Sequence, residues 1–95
     1  MLVTYPVIFT ETGDNKETVL IEVPDIEDAL SEGFGMRDAI FMAKDLIKEI
    51  LCDMQDAGEE FPEPSEPEDI NIEDGRFFDA GISQVMDVTV EIEDE

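Results

Sequence analysis

MRDAIFMAKDLIKEILCDM, residues 36–54, is where the apolar period of the chain changes from two to 3.6. At about 100° per residue, Met36, Ala39, Ile40, Ala43, Leu46, Ile47, Ile50, Leu51 and Met54 fall within an arc of about 140°. One long amphipathic helix with a single buried stripe follows from that spacing. Its end is expected at Ala57-Gly58, because glycine is the favoured residue just past a helix C-terminus. Only one helix of this length is legible, so the fold turns on what its apolar stripe covers.

Upstream, the pattern alternates. From Val3 to Thr10 the residues are β-branched and aromatic, with Tyr5, Val7 and Phe9 on one face and Thr4, Pro6 and Ile8 on the other. Pro6 has no N–H to donate, so its amide edge should meet solvent or a bulge. Gly13-Asp14-Asn15 marks a turn, and Glu17 to Val23 resumes alternation, which makes a hairpin. Pro24-Asp25 ends the second strand; a short third strand, Ala29 to Phe34, follows, and Gly33 and Gly35 mark a sharp exit into the helix. Downstream, EEFPEPSEPE (59–68) carries three prolines and five glutamates, and reads as a stiff extended connector. Asp69 to Ile82 shows no period, and Phe77 and Phe78 are expected to pack there as a small apolar plug. Ser83 to Ile92 alternates again, with Met86, Val88, Val90 and Ile92 on a buried face and Val85, Asp87, Thr89 and Glu91 on a wet one. The organisation is one domain over 1–95: a βββα core at 1–58, the connector at 59–68 and a last strand at 83–92. It belongs to the α+β class, one antiparallel or mixed sheet with the helix on one face.

Composition narrows the function. Of 95 residues, 27 are Asp or Glu, five are Lys or Arg and none is His, a formal charge of −22. That field repels nucleic acid and anionic membranes and steers basic surfaces inward. Acidic disordered chains are poor in apolar residues, whereas 42% of this chain is hydrophobic, so a folded domain with an acidic skin is expected. At this length only roughly 60–65% of the extended surface is buried, and self-association or a partner would help stability. Cys52 is the single cysteine, which excludes an internal disulfide; with only Lys48 one turn away to lower its pKa, it reads as an inert thiol. The start has no basic region before its apolar residues, so no signal peptide is read and a cytoplasmic location is expected.

The many carboxylates invite accidental motif matches. The run from Asp53 imitates the opening of a calcium loop, but its twelfth position is Pro64; the run from Asp69 reaches Ala80 at the same place. Without His, general-base or thiol catalysis lacks its usual partner, so no catalytic residue, cofactor or metal site is assigned and no enzymatic activity is expected. Two surfaces are candidates for partners. Glu11, Asp14, Glu17, Glu22, Asp25, Glu27, Asp28 and Glu32 lie on the hairpin and its loops, individually ordinary solvated charges and together a face for a basic protein. Arg37, Lys44 and Lys48 lie within about 40° of one another on the helix, beside Phe41 and away from the apolar arc. The plain explanation of that stripe is surface salt bridges, each worth about 0–1 kcal/mol. The functional one is self-association into a homodimer or higher oligomer, with the cations and Phe41 meeting acidic patches of a second copy.

Tyr5-Pro6-Val7-Ile8-Phe9, Val19 to Val23, Val23-Pro24-Asp25-Ile26, Glu32-Gly33, Arg37-Asp38-Ala39-Ile40-Phe41-Met42-Ala43-Lys44 and Phe61-Pro62-Glu63-Pro64-Ser65, in that order, resemble the HicB antitoxin family over Tyr5 to Ser65. The resemblance implies a partial RNase H-like fold. It also implies a partner, the small basic mRNA-cleaving toxin HicA, which the antitoxin neutralises by covering its active or RNA-binding face. Full-length members add a C-terminal DNA-binding domain, for which no segment is read here, so operator binding is expected only through such a domain and not through these residues. Where the family commonly has Pro-Gly-Cys after the second strand, this chain has Asp28-Ala29-Leu30. Two rival readings are an acidic nucleic-acid mimic that inhibits another basic protein and a divergent RNase H-like metal nuclease.

Overall fold

The computed structural model describes residues 1–93. Strands β1 (Leu2–Glu11), β2 (Thr18–Glu22) and β3 (Leu30–Phe34) lead into helix α1 (Met36–Asp56), and β4 (Ile82–Glu91) comes last. The four strands form one antiparallel sheet in the order β3-β2-β1-β4. The first strand therefore pairs with the last, across the whole chain. An α+β sheet carrying one helix matches the expected class, with β1 one residue longer at each end than the stretch read from alternation and β4 starting and ending one residue earlier.

The helix packs as its spacing requires. Ala39, Ala43, Ile47 and Leu51, one per turn, are buried on the sheet face formed by Tyr5, Val7 and Phe9 of β1, Val19 and Ile21 of β2, and Val88 and Val90 of β4. Each large apolar side chain placed there contributes about 1.5–3 kcal/mol, and their sum is what opposes the repulsion among the surface carboxylates. The contact is close because its residues are small: a Cβ built on Gly33 would lie 2.6 Å from the Ala39 Cα. At the other end, the Gly58 N–H donates to the Gln55 carbonyl (3.1 Å) and the Glu59 N–H to that of Met54 (2.9 Å), with Gly58 at φ 73°. This is the two-bond glycine cap expected at Ala57-Gly58.

Pro6 sits in a central strand, which its missing donor would ordinarily forbid. The Met1 ammonium donates to the Ile92 carbonyl (2.9 Å) and the Ile92 N–H to that of Met1 (2.8 Å), which fixes the alternation of the β1–β4 ladder. Pro6, opposite Asp87, falls on a pair that exchanges no bonds, so its nitrogen points towards β2. Pairing with β2 starts only at Ile8 opposite Glu22, so no donor is needed.

The other face of the sheet is also covered, which alternation alone did not indicate. Pro6, Ile8 and Thr10 are buried, beneath a segment whose three short 3-10 helices (Pro67–Asp69, Ile72–Asp74, Phe78–Ala80) lie against β1 and β4. The Cδ1 of Ile8 lies 3.3 Å from where a Cβ on Gly75 would stand. The expected plug is corrected here: Phe77 is half-buried and Phe78 is 37% exposed, and neither joins the core. Backbone bonds within the 3-10 turns order this segment, with contacts to Ile8 and Glu22. The connector is tied down at two points. The Tyr5 hydroxyl donates to the Pro62 carbonyl (2.6 Å), and Ser65 donates through both its N–H and its hydroxyl to the Asp25 carboxylate (2.7 Å each). Burial, reinforced by Asp25 and Glu63 nearby, pushes the Tyr5 phenol above its ordinary pKa.

Candidate protein-binding surface

The eight carboxylates do not form one patch. Glu11, Asp14 and Glu17 line a cleft of about 420 Å³ at the hairpin end, closed by Gly35 and Met36 at the start of α1 and by Ile82 at the start of β4. Glu22, Asp25 and Asp28 gather at the opposite end of β2, a strand about 17 Å long, and serve the fold. The Glu22 carboxylate accepts the Arg76 backbone N–H (3.0 Å), Asp28 lies 3.5 Å from the Arg76 guanidinium, and Asp25 holds Ser65. Together they pin the connector, through Ser65, and the segment after it, through Arg76, to the sheet. Glu27 is exposed between β2 and β3, and Glu32 is exposed on β3 at the sheet edge.

Within the cleft the three carboxylates differ. Asp14 accepts hydrogen bonds from the Thr18 N–H (2.9 Å), the Thr18 hydroxyl (2.7 Å) and the Lys16 N–H (3.1 Å). The bonds from Thr18, backbone first and hydroxyl second, hold its carboxyl below the ordinary range, with a smaller contribution from Lys16. Its oxygens are therefore engaged in closing the hairpin. Glu17 sits at φ 57°, a left-handed conformation that costs a residue with a Cβ about 1 kcal/mol. Its carbonyl accepts the Gly35 N–H (2.8 Å), tying the hairpin to the start of the helix. Glu11 and Glu17 make no ion pair among the described residues, so their charges face the cleft unneutralised.

Two exposed apolar side chains border this acidic end. Ile82 is 80% exposed, and Phe34, the cross-strand partner of Thr18, is 56% exposed. Ile82 was not among the sequence candidates. It shares a strand face with Met86 and Val88, which marks it for burial, but as the first residue of β4 it extends past the cover of the helix.

The cationic stripe lies exposed along α1, and among the described residues no salt bridge accounts for it. Among the described residues Arg76 is the only basic side chain in an ion pair, and Arg37, Lys44 and Lys48 have no carboxylate within 4.0 Å. Phe41 beside them is 66% exposed. Phe41, Lys44 and Lys48 border a groove of about 330 Å³ whose other wall is Thr89 to Glu91 of β4. Among the described residues no group of Cys, Asp or Glu is arranged to hold a metal ion, and no helix is long and apolar enough to cross a membrane.

No model of a known protein family matches the chain, and no curated protein sequence does. Solved structures do. A chain of a toxin–antitoxin complex from Streptococcus pneumoniae is 26% identical and superposes with a TM-score of 0.81 over 96% of this chain and 70% of that one. The N-terminal domain of the antitoxin HicB from Burkholderia pseudomallei is 18% identical, at a TM-score of 0.64 over 88% of this chain and 95% of that domain. The fold is that of the HicB N-terminal domain. A chain of the HicA3–HicB3 toxin–antitoxin complex agrees with it, 22% identical at a TM-score of 0.64 over 97% of this chain and all of that one. In this HicB-type fold the acidic cleft, Ile82 and the groove of Phe41, Lys44 and Lys48 all border β4 or its ends.

Proposed function

We propose that this chain is the toxin-binding domain of a HicB-type antitoxin, and that it neutralises a basic, HicA-type mRNA-cleaving toxin by covering the toxin's active or RNA-binding face. The observation that carries the reading is a HicB-type sheet whose hairpin end joins an unneutralised acidic cleft to exposed apolar side chains. A surface that grips RNA is cationic, and Glu11 and Glu17 offer it fixed negative charge in place of phosphate. Ile82 and Phe34 supply apolar contact that phosphate cannot, and such contacts make a complex long-lived where rim charges chiefly raise the encounter rate. Inhibition of this kind needs no catalytic residue in the antitoxin; occupying the surface is enough.

Mixing the purified chain with a purified HicA-type toxin, and measuring affinity by calorimetry from about 50 to 500 mM salt, tests the proposal. Binding should abolish RNA cleavage and weaken as salt rises, through screening over a Debye length of about 10 Å at 0.1 M. The double variant Glu11→Gln/Glu17→Gln should slow association several-fold at low salt and little at high salt. Affinity that does not depend on salt would remove the electrostatic basis of the reading.

A further inference from the structure

The alternation of the β1–β4 ladder decides what β4 shows to solvent. Met1 and Ile92 exchange both backbone bonds, so the bonded pairs are those at alternate positions: Val3 with Val90, Tyr5 with Val88, Val7 with Met86, Phe9 with Gln84. The intervening residues Ser83, Val85, Asp87, Thr89 and Glu91 direct their N–H and C=O groups away from β1, towards the open edge of the sheet. None of these groups has a hydrogen-bond partner among the described residues.

Natural sheets protect such edges with short strands, proline, lysine or bulges. β4 has ten residues, no proline, no lysine and an unbroken register. Its protection against a second copy of itself is electrostatic. In the full-length antiparallel register, Ser83 would meet the second copy's Glu91, Val85 its Thr89, and Asp87 its Asp87, two carboxylates about 5 Å apart at the Cβ atoms. The same geometry favours a strand with a cation opposite Asp87. On the helix-facing side, the edge opens onto the groove bordered by Phe41, Lys44 and Lys48, which accepts an apolar or acidic side chain.

We propose that the open edge of β4 receives a strand from the basic partner, extending the sheet to five strands, with basic side chains of that strand facing Asp87 and Glu91 and its apolar side chains facing Phe41. This rests on the antitoxin reading and specifies how the toxin is held. Main-chain bonds to Ser83, Val85, Asp87, Thr89 and Glu91 give affinity, and the two faces of β4 set the sequence of the strand that fits. The Ile82 end of the same edge leads into the acidic cleft, so the steering charges and the seat are continuous.

Thr89→Pro tests the proposal, since the Thr89 N–H points outward and its loss leaves the β1 ladder intact. The variant should keep the circular dichroism spectrum of the parent and lose at least tenfold in toxin affinity at fixed salt. Asp87→Lys should lose a comparable amount. If Thr89→Pro does not fold, amide exchange on the unmodified chain decides: Val85, Asp87 and Thr89 should gain protection when toxin is added. Unchanged affinity in a folded Thr89→Pro, unchanged exchange at those amides, or a dimer of the free chain that Thr89→Pro dissolves would each overturn it. A parent chain that binds no toxin would sink the antitoxin reading itself, whereas a parent that binds and a Thr89→Pro that binds equally would sink only the strand.

Discussion

Asp14 shows how a surface carboxylate is put to use within a turn. Its three hydrogen bonds from Thr18 and Lys16 favour the charged form, so the carboxyl titrates below its ordinary range in the folded chain and near about 3.9 in the unfolded one. A depressed folded value means that its contribution to stability is present above the unfolded pKa and is lost as pH falls through the folded one. The stability difference between the parent and Asp14→Asn should therefore be constant from pH 7 to about 5 and close below about pH 4, as read from urea unfolding at each pH. A gap that persists at pH 2 would mean that Asp14 acts through its shape and not through its charge. Glu17, three residues on, is the converse case: its strained backbone does nothing for the turn that glycine would not do better, and strain of this sort is retained where a side chain is needed in one place. On the proposed reading, that place is the cleft.

At the scale of the elements, packing of α1 on β3 depends on a missing side chain. A Cβ on Gly33 would be 2.6 Å from Ala39 Cα, and neither backbone can yield alone. Gly33→Ala should destabilise the fold by about 1–3 kcal/mol, the cost of overpacking a close contact, measurable as a lower urea midpoint with an unchanged slope. An unchanged midpoint would show that the helix slides freely on the sheet. The helix and its glycine cap were legible because a 3.6 period over residues 36–54 has few competing explanations. All four strands were legible from alternation, but their order was not, since period two says which side chains share a face and nothing about neighbours. The second cover of the sheet escaped the sequence because residues 67–80 have no period at all; Glu22 and Asp28 hold that segment through Arg76, and Asp25 holds the connector before it through Ser65. Those same contacts are why a group of carboxylates that looks uniform in sequence divides into a structural set and a cleft set. Phe41 and its cations were readable from helical angles, whereas the open β4 edge required the strand order.

For the whole molecule, −22 charges on 95 residues act against the compact state. Thermal unfolding should therefore shift upward as salt rises from about 10 to 500 mM, the opposite direction to the weakening that the proposal expects of toxin binding, because screening relieves repulsion within the chain while it removes attraction between chains. A melting temperature that does not move with salt would mean that the carboxylates are spaced widely enough to ignore one another. The pairing of β1 with β4 also sets an order of events during synthesis. Residues 2–11 are made first and wait for residues 82–91; at about 5–20 residues per second, that interval is on the order of ten seconds. Throughout it the central strand lacks the neighbour that covers one whole side, and closing so distant a contact is slow in any case. The strand that completes the sheet is also the one whose open edge would take up the toxin. On the proposed reading, a nascent chain thus has no seat to offer until residues 82–91 have been made, and the capacity to hold the toxin arrives in a single step with that strand.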